Sequence, residues 1–471
     1  MKKKAMNKLE VNGAMSTPLL FFIIIVEGFV TISAEILTIR QLLPFVGNSV
    51  VVTSMIIGIF LLFLAYGYRR GGDYQTNYTD ILKSNFTKSA IWLGMGLSNI
   101  FIFEFFTLLN PYLNQQVLWV LTLYLLLITA PLVYILGQTV PITMNLIKKA
   151  KTTGEIGGKI LQLSTLGSFL GALLTSLGLL NYFGVAWTVF INFCLLFILT
   201  VVLFSNFKKD GFKIIGLLAA FFVTYGLNVV VENRLFVTTN AYSNYQILKD
   251  NNVTHLLING SPSSMLSASK LGYPYIEYIK KVLFKELNLK NKDILVLGAG
   301  GFTLSAEGTF GNRFTYVDID QNIKNVAEKH LVHKVKGAFI AFDARHFLST
   351  TDQKYDVIIS DVYSNHRTIP THLLTQEYFW GVKTALQKEG IAVFNIIAHP
   401  TLKDEYSYYL DNTLRSVFKG CMVVPTEYAN KFTNIIYICR GEHRDEKNAI
   451  YKDNLNRTTL DFFRSLVFAR E

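Results

Sequence analysis

The sequence predicts an α-helical membrane bundle of about seven spans followed by an α/β doubly wound domain, and three observations carry that expectation. The 471-residue chain is 51% hydrophobic, and the apolarity lies almost entirely before residue 232. After residue 290, short apolar runs alternate with stretches of helical period, the pattern of parallel strands joined by crossover helices. The run Ile294-Leu295-Val296-Leu297-Gly298-Ala299-Gly300-Gly301 reads as a buried strand entering a glycine turn.

Seven segments are long and apolar enough to cross a bilayer, each crossing needing about 20 residues. They run over Pro18–Ile39, Val50–Tyr68, Ile91–Leu109, Val117–Leu136, Ile160–Leu180, Ala186–Phe204 and Ile214–Val231. Lys2, Lys3, Lys4 and Lys8 precede the first, and the absence of a small-residue cleavage site argues against a signal peptide there. The net charge of +12 would suit nucleic acid, but many of the cations sit in loops between apolar segments, where they orient helices. Nucleic-acid binding is therefore not expected. Arg69, Arg70, Lys83 and Lys88, then Lys148, Lys149, Lys151 and Lys159, then Lys208, Lys209 and Lys213 occupy every second loop, while Asn110–Gln116 and Asn181–Val185 carry no charge. This alternation puts the N-terminus and the basic loops in the cytoplasm. Seven crossings would leave the C-terminal domain outside; a miscount at Glu27, Glu35 and Arg40 or at Pro131 and Pro141 would reverse that, so its side stays open. Glu27, Glu35, Arg40 and Glu104 are candidates for function or for helix pairing. Gly154, Gly157, Gly158, Gly167, Gly171 and Gly178, with Ser164, Thr165 and Ser168, form a small-residue face suited to close helix packing. Cys194, Cys421 and Cys439 show neither metal spacing nor a disulfide framework and read as small core side chains.

The domain boundary falls at residues 232 and 233, where the composition changes. Tyr242–Leu248 and Val253–Ile258 alternate as strands around Asp250-Asn251-Asn252, a β-hairpin within residues 241–260. Tyr275–Leu287 has helical period. The α/β core spans residues 290–440: strand Ile294–Leu297, a helix reaching Glu307, strand Phe314–Val317, helix Ile323–His330, strand Ala338–Phe342, strand Tyr355–Ile359, helix Gln376–Leu386 and strand Ile391–Ile396. Ligands of such sheets bind beyond the carboxyl ends of the strands, and the glycine turn, Asp318, Asp343 and Asp361 all fall there. Gly298 and Gly300 let the backbone approach a ligand closely. Asp318 stands at the spacing of a carboxylate that accepts from ribose hydroxyls. Thr303 occupies the third glycine position of G-x-G-x-x-G, which suits an adenosyl group without pyrophosphate. Asp343 is placed to accept from an adenine amino group, and Asp361 to hold or deprotonate an attacking amine. Each aspartate alone is an ordinary loop cap; three at successive strand ends read as a site.

These residues resemble the polyamine aminopropyltransferases, the spermidine synthase family, over roughly Ala241 to Arg440, and the resemblance implies a Rossmann-like fold of methyltransferase type. Tyr242-Ser243-Asn244-Tyr245-Gln246-Ile247 is similar to the family's Tyr-Gln strand, which implies that Gln246 touches the nucleoside. Leu257-Ile258-Asn259-Gly260 resembles its Leu-Asp-Gly turn, and Tyr275-Ile276-Glu277 its Tyr-x-Glu helix start, making Tyr275 and Glu277 substrate residues together with Tyr363. Val317-Asp318-Ile319-Asp320 resembles the ribose-binding strand end, Asp343 the adenine site, and Asp356-Val357-Ile358-Ile359-Ser360-Asp361 the strand that delivers the catalytic aspartate. Glu35-Ile36-Leu37-Thr38-Ile39-Arg40, Pro44-Phe45-Val46-Gly47-Asn48-Ser49, Tyr66-Gly67-Tyr68-Arg69-Arg70-Gly71-Gly72 and Ile369-Pro370-Thr371-His372-Leu373-Leu374-Thr375 resemble the multi-spanning branch of that family.

The chain departs from the family on one side. Gly301-Phe302-Thr303 replaces an aspartate in the glycine turn, Leu271-Gly272 an Asp-Glu pair, and Ser364 the second aspartate of Asp-Ser-Ser-Asp-Pro. Glu277, Asp320 and Tyr363 are the groups left to compensate. Three readings follow. The first is a cell-membrane, multi-pass aminopropyltransferase taking decarboxylated S-adenosylmethionine as donor substrate and an amine such as putrescine as acceptor. The second is an S-adenosylmethionine-dependent methyl or alkyl transferase on a membrane-associated acceptor. The third is a non-catalytic transporter or sensor with a polar path at Glu27, Glu35 and Glu104. None calls for a prosthetic group or a metal; the bilayer is a partner of all three, and whether the chain forms a homodimer stays open.

Overall fold

A computed structural model describes residues 16–47, 50–113, 116–147, 153–204, 211–362, 370–429, 431–443 and 449–468. Apart from residues 47–49, the chain divides into two compact units, one ending at Ala241 and the other beginning at Tyr242.

The first unit is helical: α1 Thr17–Val46, α2 Val50–Asp73, α3 Tyr78–Gly96, α4 Asn99–Tyr112, α5 Val117–Leu146, α6 Gly154–Tyr182, α7 Gly184–Val202 and α8 Ile214–Leu235. Six of these are each long and apolar enough to cross a bilayer, and α3 with α4 makes a seventh candidate bent by 65°. The bend interrupts the expected span Ile91–Leu109. Its cause is local: Ser98 leaves helical geometry at ψ 140°, its Oγ accepts from the Phe101 N–H, and a new helix starts there. The small-residue face works as expected at two of its glycines, and Gly28 of α1 meets it. A Cβ at Gly167 or Gly171 would lie 2.2 or 2.4 Å from the carbonyl oxygens of Ile25 and Phe29, and one at Gly28 would lie 2.4 Å from that of Ser164, so α1 and α6 touch through backbone. Gly154, Gly157, Gly158 and Gly178 face open space instead. Polar groups inside the bundle bond across helices, Thr175 donating to the Ser33 hydroxyl at 2.7 Å and Asn192 to the same oxygen at 2.8 Å. Glu104 is exposed, whereas Glu27 is buried and accepts from Thr31 at 2.9 Å.

The second unit opens with an antiparallel meander, β1 Asn244–Asp250, β2 Val253–Ile258 and β3 Ser261–Ser267. The third strand adds to the expected hairpin. Asn259 and Gly260 both take positive φ, 53° and 75°, which turns the chain straight back on itself. Helix α9, Pro274–Lys280, continues as a wider turn through Glu286. The core follows as β4 Asp293–Leu297, β5 Arg313–Asp318, α10 Asn322–His330, β6 Ala338–Ala341, α11 Ala344–Thr350, β7 Tyr355–Ser360, α12 Gln376–Ala385, β8 Leu386–Ala398, α13 Glu405–Arg415, β9 Gly420–Pro425, β10 Thr433–Arg440 and α14 Thr458–Phe468. The sheet order is β9-β10-β8-β7-β4-β5-β6, parallel from β8 to β6, with β10 and β9 antiparallel at one edge. Both faces are covered. Ile294 and Val296 of β4 face one apolar core with Val357 and Ile359, while Leu295 and Leu297 face the other with Ile358, so the uninterrupted apolar run is what a doubly covered central strand requires.

Two expectations are corrected. The helix anticipated up to Glu307 is a single 3-10 turn, Thr303–Ser305, because Phe302 enters the left-handed region at φ 57° and Gly308 follows at once. Cys421 and Cys439 are not separate core thiols; they form a disulfide between β9 and β10. Antiparallel pairing sets them directly opposite one another, a register that their 18-residue separation does not disclose.

Candidate functional site

Four parallel strands end side by side, and each end delivers one of the expected groups. The Gly298 N–H donates to the Val317 carbonyl and the Asp361 N–H to the Leu297 carbonyl, both at 2.8 Å, which locks the ends of β4, β5 and β7 together. Gly298 sits at φ 86°, and a Cβ there would lie 2.0 Å from the Asp361 carbonyl oxygen. This is the physical demand for glycine at that position. Beyond it, the Gly301 N–H donates to Ser264 Oγ at 2.7 Å, so β3 steadies the turn. Gly300, at φ 50°, would bring a Cβ to 3.1 Å from the same oxygen.

Asp318 lies beneath this turn. Its Oδ2 accepts from the Ala299 N–H at 2.9 Å and its Oδ1 from the Asp320 N–H at 3.0 Å. Burial outweighs those two bonds and pushes its pKa up to about 6. Each oxygen keeps acceptor capacity beyond the one bond it makes, as ribose hydroxyls would need. Asp320, two residues on, is fully committed to structure: it is buried, accepts from Tyr245 Oη at 2.7 Å and from the Asn322 N–H at 2.9 Å, and so pins β1 to the sheet. Gln246 follows Tyr245 along β1 and therefore points to the other face of the meander, half-buried. Asp343 ends the loop after β6 as the N-cap of α11, its Oδ1 accepting from the His346 N–H at 2.8 Å. The capping role is real at this position, and the second oxygen carries no share of it.

Asp361 is the most elaborately held group. Tyr275 Oη donates to its Oδ2 at 2.9 Å and Asn395 Nδ2 to its Oδ1 at 2.8 Å. Burial raises its pKa above the ordinary carboxylate value against the pull of those two donors. Tyr275 is buried beside this carboxylate, which drives its own pKa well above 10 and keeps the phenol a donor. Asn395 is 5% exposed, and its Oδ1 is buried with no hydrogen-bond partner among the described residues. An amide donating with one end and unsatisfied at the other is a ready acceptor for an N–H brought to Asp361.

Glu277, expected as a substrate residue, accepts through Oε1 from the Gly272 N–H at 2.7 Å and pairs with Lys280 at 2.8 Å. Lys280 also pairs with Glu307 at 3.5 Å, so one cation is shared by two carboxylates. Tyr363 and Ser364 lie outside the described residues. The structure therefore brings Gly298, Gly300, Asp318, Asp343, Asp361 and Tyr275 to one end of the sheet. It adds Asn395 and Ser264, which the sequence reading missed, and joins Tyr245 to Asp320, two motif residues whose bond the sequence did not show. Asn395 left one signal, a lone amide in the otherwise apolar run Val393-Phe394-Asn395-Ile396-Ile397.

Comparison with known proteins bears on the same segment. Residues 274–448 match the family model of the spermine/spermidine synthase domain. A polyamine aminopropyltransferase of Saccharolobus solfataricus is 27% identical over 175 residues, covering 35% of this chain and 57% of that protein. Polyamine aminopropyltransferase 2 of Hyperthermus butylicus is 32% identical over 138 residues, 27% of this chain and 45% of that one. The chain thus spans about half the length of the curated relatives it matches. Among solved structures, the spermidine synthase of Thermotoga maritima aligns with 48% of this chain and 84% of its own, at 15% identity and a TM-score of 0.35.

Proposed function

We propose that the spermine/spermidine synthase domain at residues 274–448 makes this membrane protein an aminopropyltransferase, which moves an aminopropyl group from decarboxylated S-adenosylmethionine to an amine. The observation that carries the reading is Asp361, held at the carboxyl end of β7 between the Tyr275 phenol and the Asn395 amide, one strand away from the glycine turn and two from Asp318. That is the arrangement of a base beside a nucleoside site.

In this reading the Asp318 carboxylate accepts from the ribose hydroxyls, the open backbone at Gly298 and Gly300 admits the adenosyl group, and Asp343 borders the base. The acceptor nitrogen attacks the donor carbon bonded to sulfonium sulfur. A C–N bond forms, the C–S bond breaks, and its electron pair stays on sulfur as a neutral thioether nucleoside. The nitrogen loses one proton to Asp361, whose raised pKa suits it to receive one. Tyr275 and Asn395 fix the carboxylate, and Asn395 Oδ1 accepts a second N–H of the incoming amine.

One observation favours a second reading on the same scaffold. Glu277 shares Lys280 with Glu307, and Leu271-Gly272 stand where acids are expected, so less negative charge remains for a positively charged aminopropyl tail or diamine. Ordinary S-adenosylmethionine, whose tail carries a carboxylate, meets less repulsion there, and methyl or alkyl transfer follows. The nucleoside by-product separates the two: methylthioadenosine from aminopropyl transfer, S-adenosylhomocysteine from methyl transfer.

A further inference from the structure

The count of crossings decides which compartment receives the C-terminal unit, and side-chain contacts inside the bundle fix it. Helix α3 packs beside α7 and α8 from the far end of α7 to its middle. Near its start, Lys83 lies 5.4 Å over the ring of Phe204, just past the end of α7. Near its end, Gly94 abuts Phe193 and Thr224, and the Gly94 carbonyl accepts from Asn228 at 2.8 Å in the last turns of α8. After the bend the chain does not return. Asn99 at the start of α4 donates to Glu232 near the end of α8, and the Ala186 N–H at the start of α7 donates to the same carboxylate at 3.1 Å. Helix α4 then packs Ile102 and Phe106 among Leu42 and Val46 at the end of α1, Val52 and Ile56 at the start of α2, and Val120 and Leu121 at the start of α5. All of these belong to one pole. The opposite pole joins Tyr74 and Asn85 to Gln138, and Lys159 to Phe21. Helices α3 and α4 therefore count as one crossing, which with the six long apolar helices makes seven candidates.

The two poles differ in charge. The helix ends and joining segments at the second pole hold Arg69, Arg70, Lys83, Lys148, Lys149, Lys151, Lys159, Lys208, Lys209 and Lys213. Those at the first hold two cations, Arg40 and Arg234, with none between residues 41 and 49, 97 and 116, or 181 and 185. The basic pole is the cytoplasmic one. Leu235 ends the last crossing at the other.

An independent observation agrees. Cys421 and Cys439 are cross-strand partners joined as a disulfide, a bond that persists in oxidising compartments and is rare in a reducing cytoplasm. We infer that the C-terminal unit stands on the extracytoplasmic side of the membrane and carries its Cys421–Cys439 bridge there. The inference holds whichever group the unit transfers. It adds one requirement: an adenosyl donor made from ATP inside the cell crosses the bilayer before it meets Asp318 and Asp361, so a translocation step precedes the transfer.

The test uses the full chain in intact cells and a membrane-impermeant maleimide. On a Cys194→Ser background, Lys388→Cys marks an exposed position in β8, and Thr76→Cys an exposed position at the basic pole. The expected result is labelling of Lys388→Cys in intact cells at least tenfold above that of Thr76→Cys, which gains label only on permeabilisation. Protection of Lys388→Cys until permeabilisation overturns the inference. The unsubstituted chain gives a second reading: after denaturation it takes one thiol tag without reductant and three with it. Three tags before reduction, in a chain trapped with acid, overturn it as well.

Discussion

The two sides of the candidate cleft are built to different standards. On the donor side, Asp318 is wedged under the turn by two backbone N–H groups, and Gly298 allows β4 and β7 to meet within backbone contact. On the acceptor side of the proposed site, Glu277 accepts from the Gly272 N–H and shares Lys280 with Glu307, and Asn395 keeps an unsatisfied carbonyl oxygen beside Asp361. In the proposed reading, the donor half rests on backbone N–H groups and the acceptor half leaves a buried acceptor open.

The sharpest way to break that contrast is Asp361→Asn. It keeps the side chain's size and removes the base, so turnover should fall about 10²- to 10⁴-fold while donor affinity stays within about twofold. A comparable loss of donor affinity would place Asp361 on the donor side. Asp318→Ala should do the reverse. Removing charged hydrogen bonds to ribose costs about 1.5–3 kcal/mol, and isothermal titration with donor should show affinity falling by ten- to a hundredfold or so. Normal binding would mean that the ribose lies elsewhere. Gly298→Ala should lower the unfolding free energy by at least about 1–3 kcal/mol, since the new methyl would sit 2.0 Å from a carbonyl oxygen at positive φ. A melting curve unchanged from the parent would contradict the described turn.

The smallest effect belongs to the acceptor side. Leu271 is exposed and stands where the family resemblance places an acid. Leu271→Asp should improve kcat/KM for a diamine a few-fold, the worth of an exposed charge pair of about 0.2–1 kcal/mol, and leave donor affinity alone. No gain with any amine would move the acceptor site away from α9.

The pH dependence sharpens the same contrast because binding and folding respond in opposite directions. Asp318 is raised to about 6 in the folded chain. Ribose recognition needs its carboxylate, so donor affinity should decline as pH falls through about 6. The folded value exceeds the unfolded one, so its contribution to stability is fully present below the unfolded value and is lost as pH rises through about 6. Melting curves and donor titrations taken over pH 4 to 8 should therefore slope against each other, and Asp318→Asn should flatten both.

Much of this was legible in the sequence because the periodicities are strong. Ile294–Leu297 and Val357–Ile359 are unbroken apolar runs within strands, and the aspartates following such runs had to fall at the sheet's carboxyl edge. What escaped was set by pairing across the chain. The positive φ of Phe302 ended an expected helix, the Asn259-Gly260 turn made a third strand from the serine-rich Ser261–Ser267, and the β9–β10 register joined two cysteines that composition gave no reason to join. Asn395 belongs to the same class, since its role depends on a neighbour 34 residues away. Glu277 shows the converse: its motif resemblance pointed to substrate, and it pairs with Lys280, three residues on in the same helix.

The most direct test of the central claim is mass spectrometry of the nucleoside by-product, with the full chain in lipid nanodiscs given each donor separately and a mixture of amines and lipids. The account predicts methylthioadenosine with decarboxylated S-adenosylmethionine, absent in Asp361→Asn. S-adenosylhomocysteine from the ordinary donor, or no thioether nucleoside from either, would contradict it.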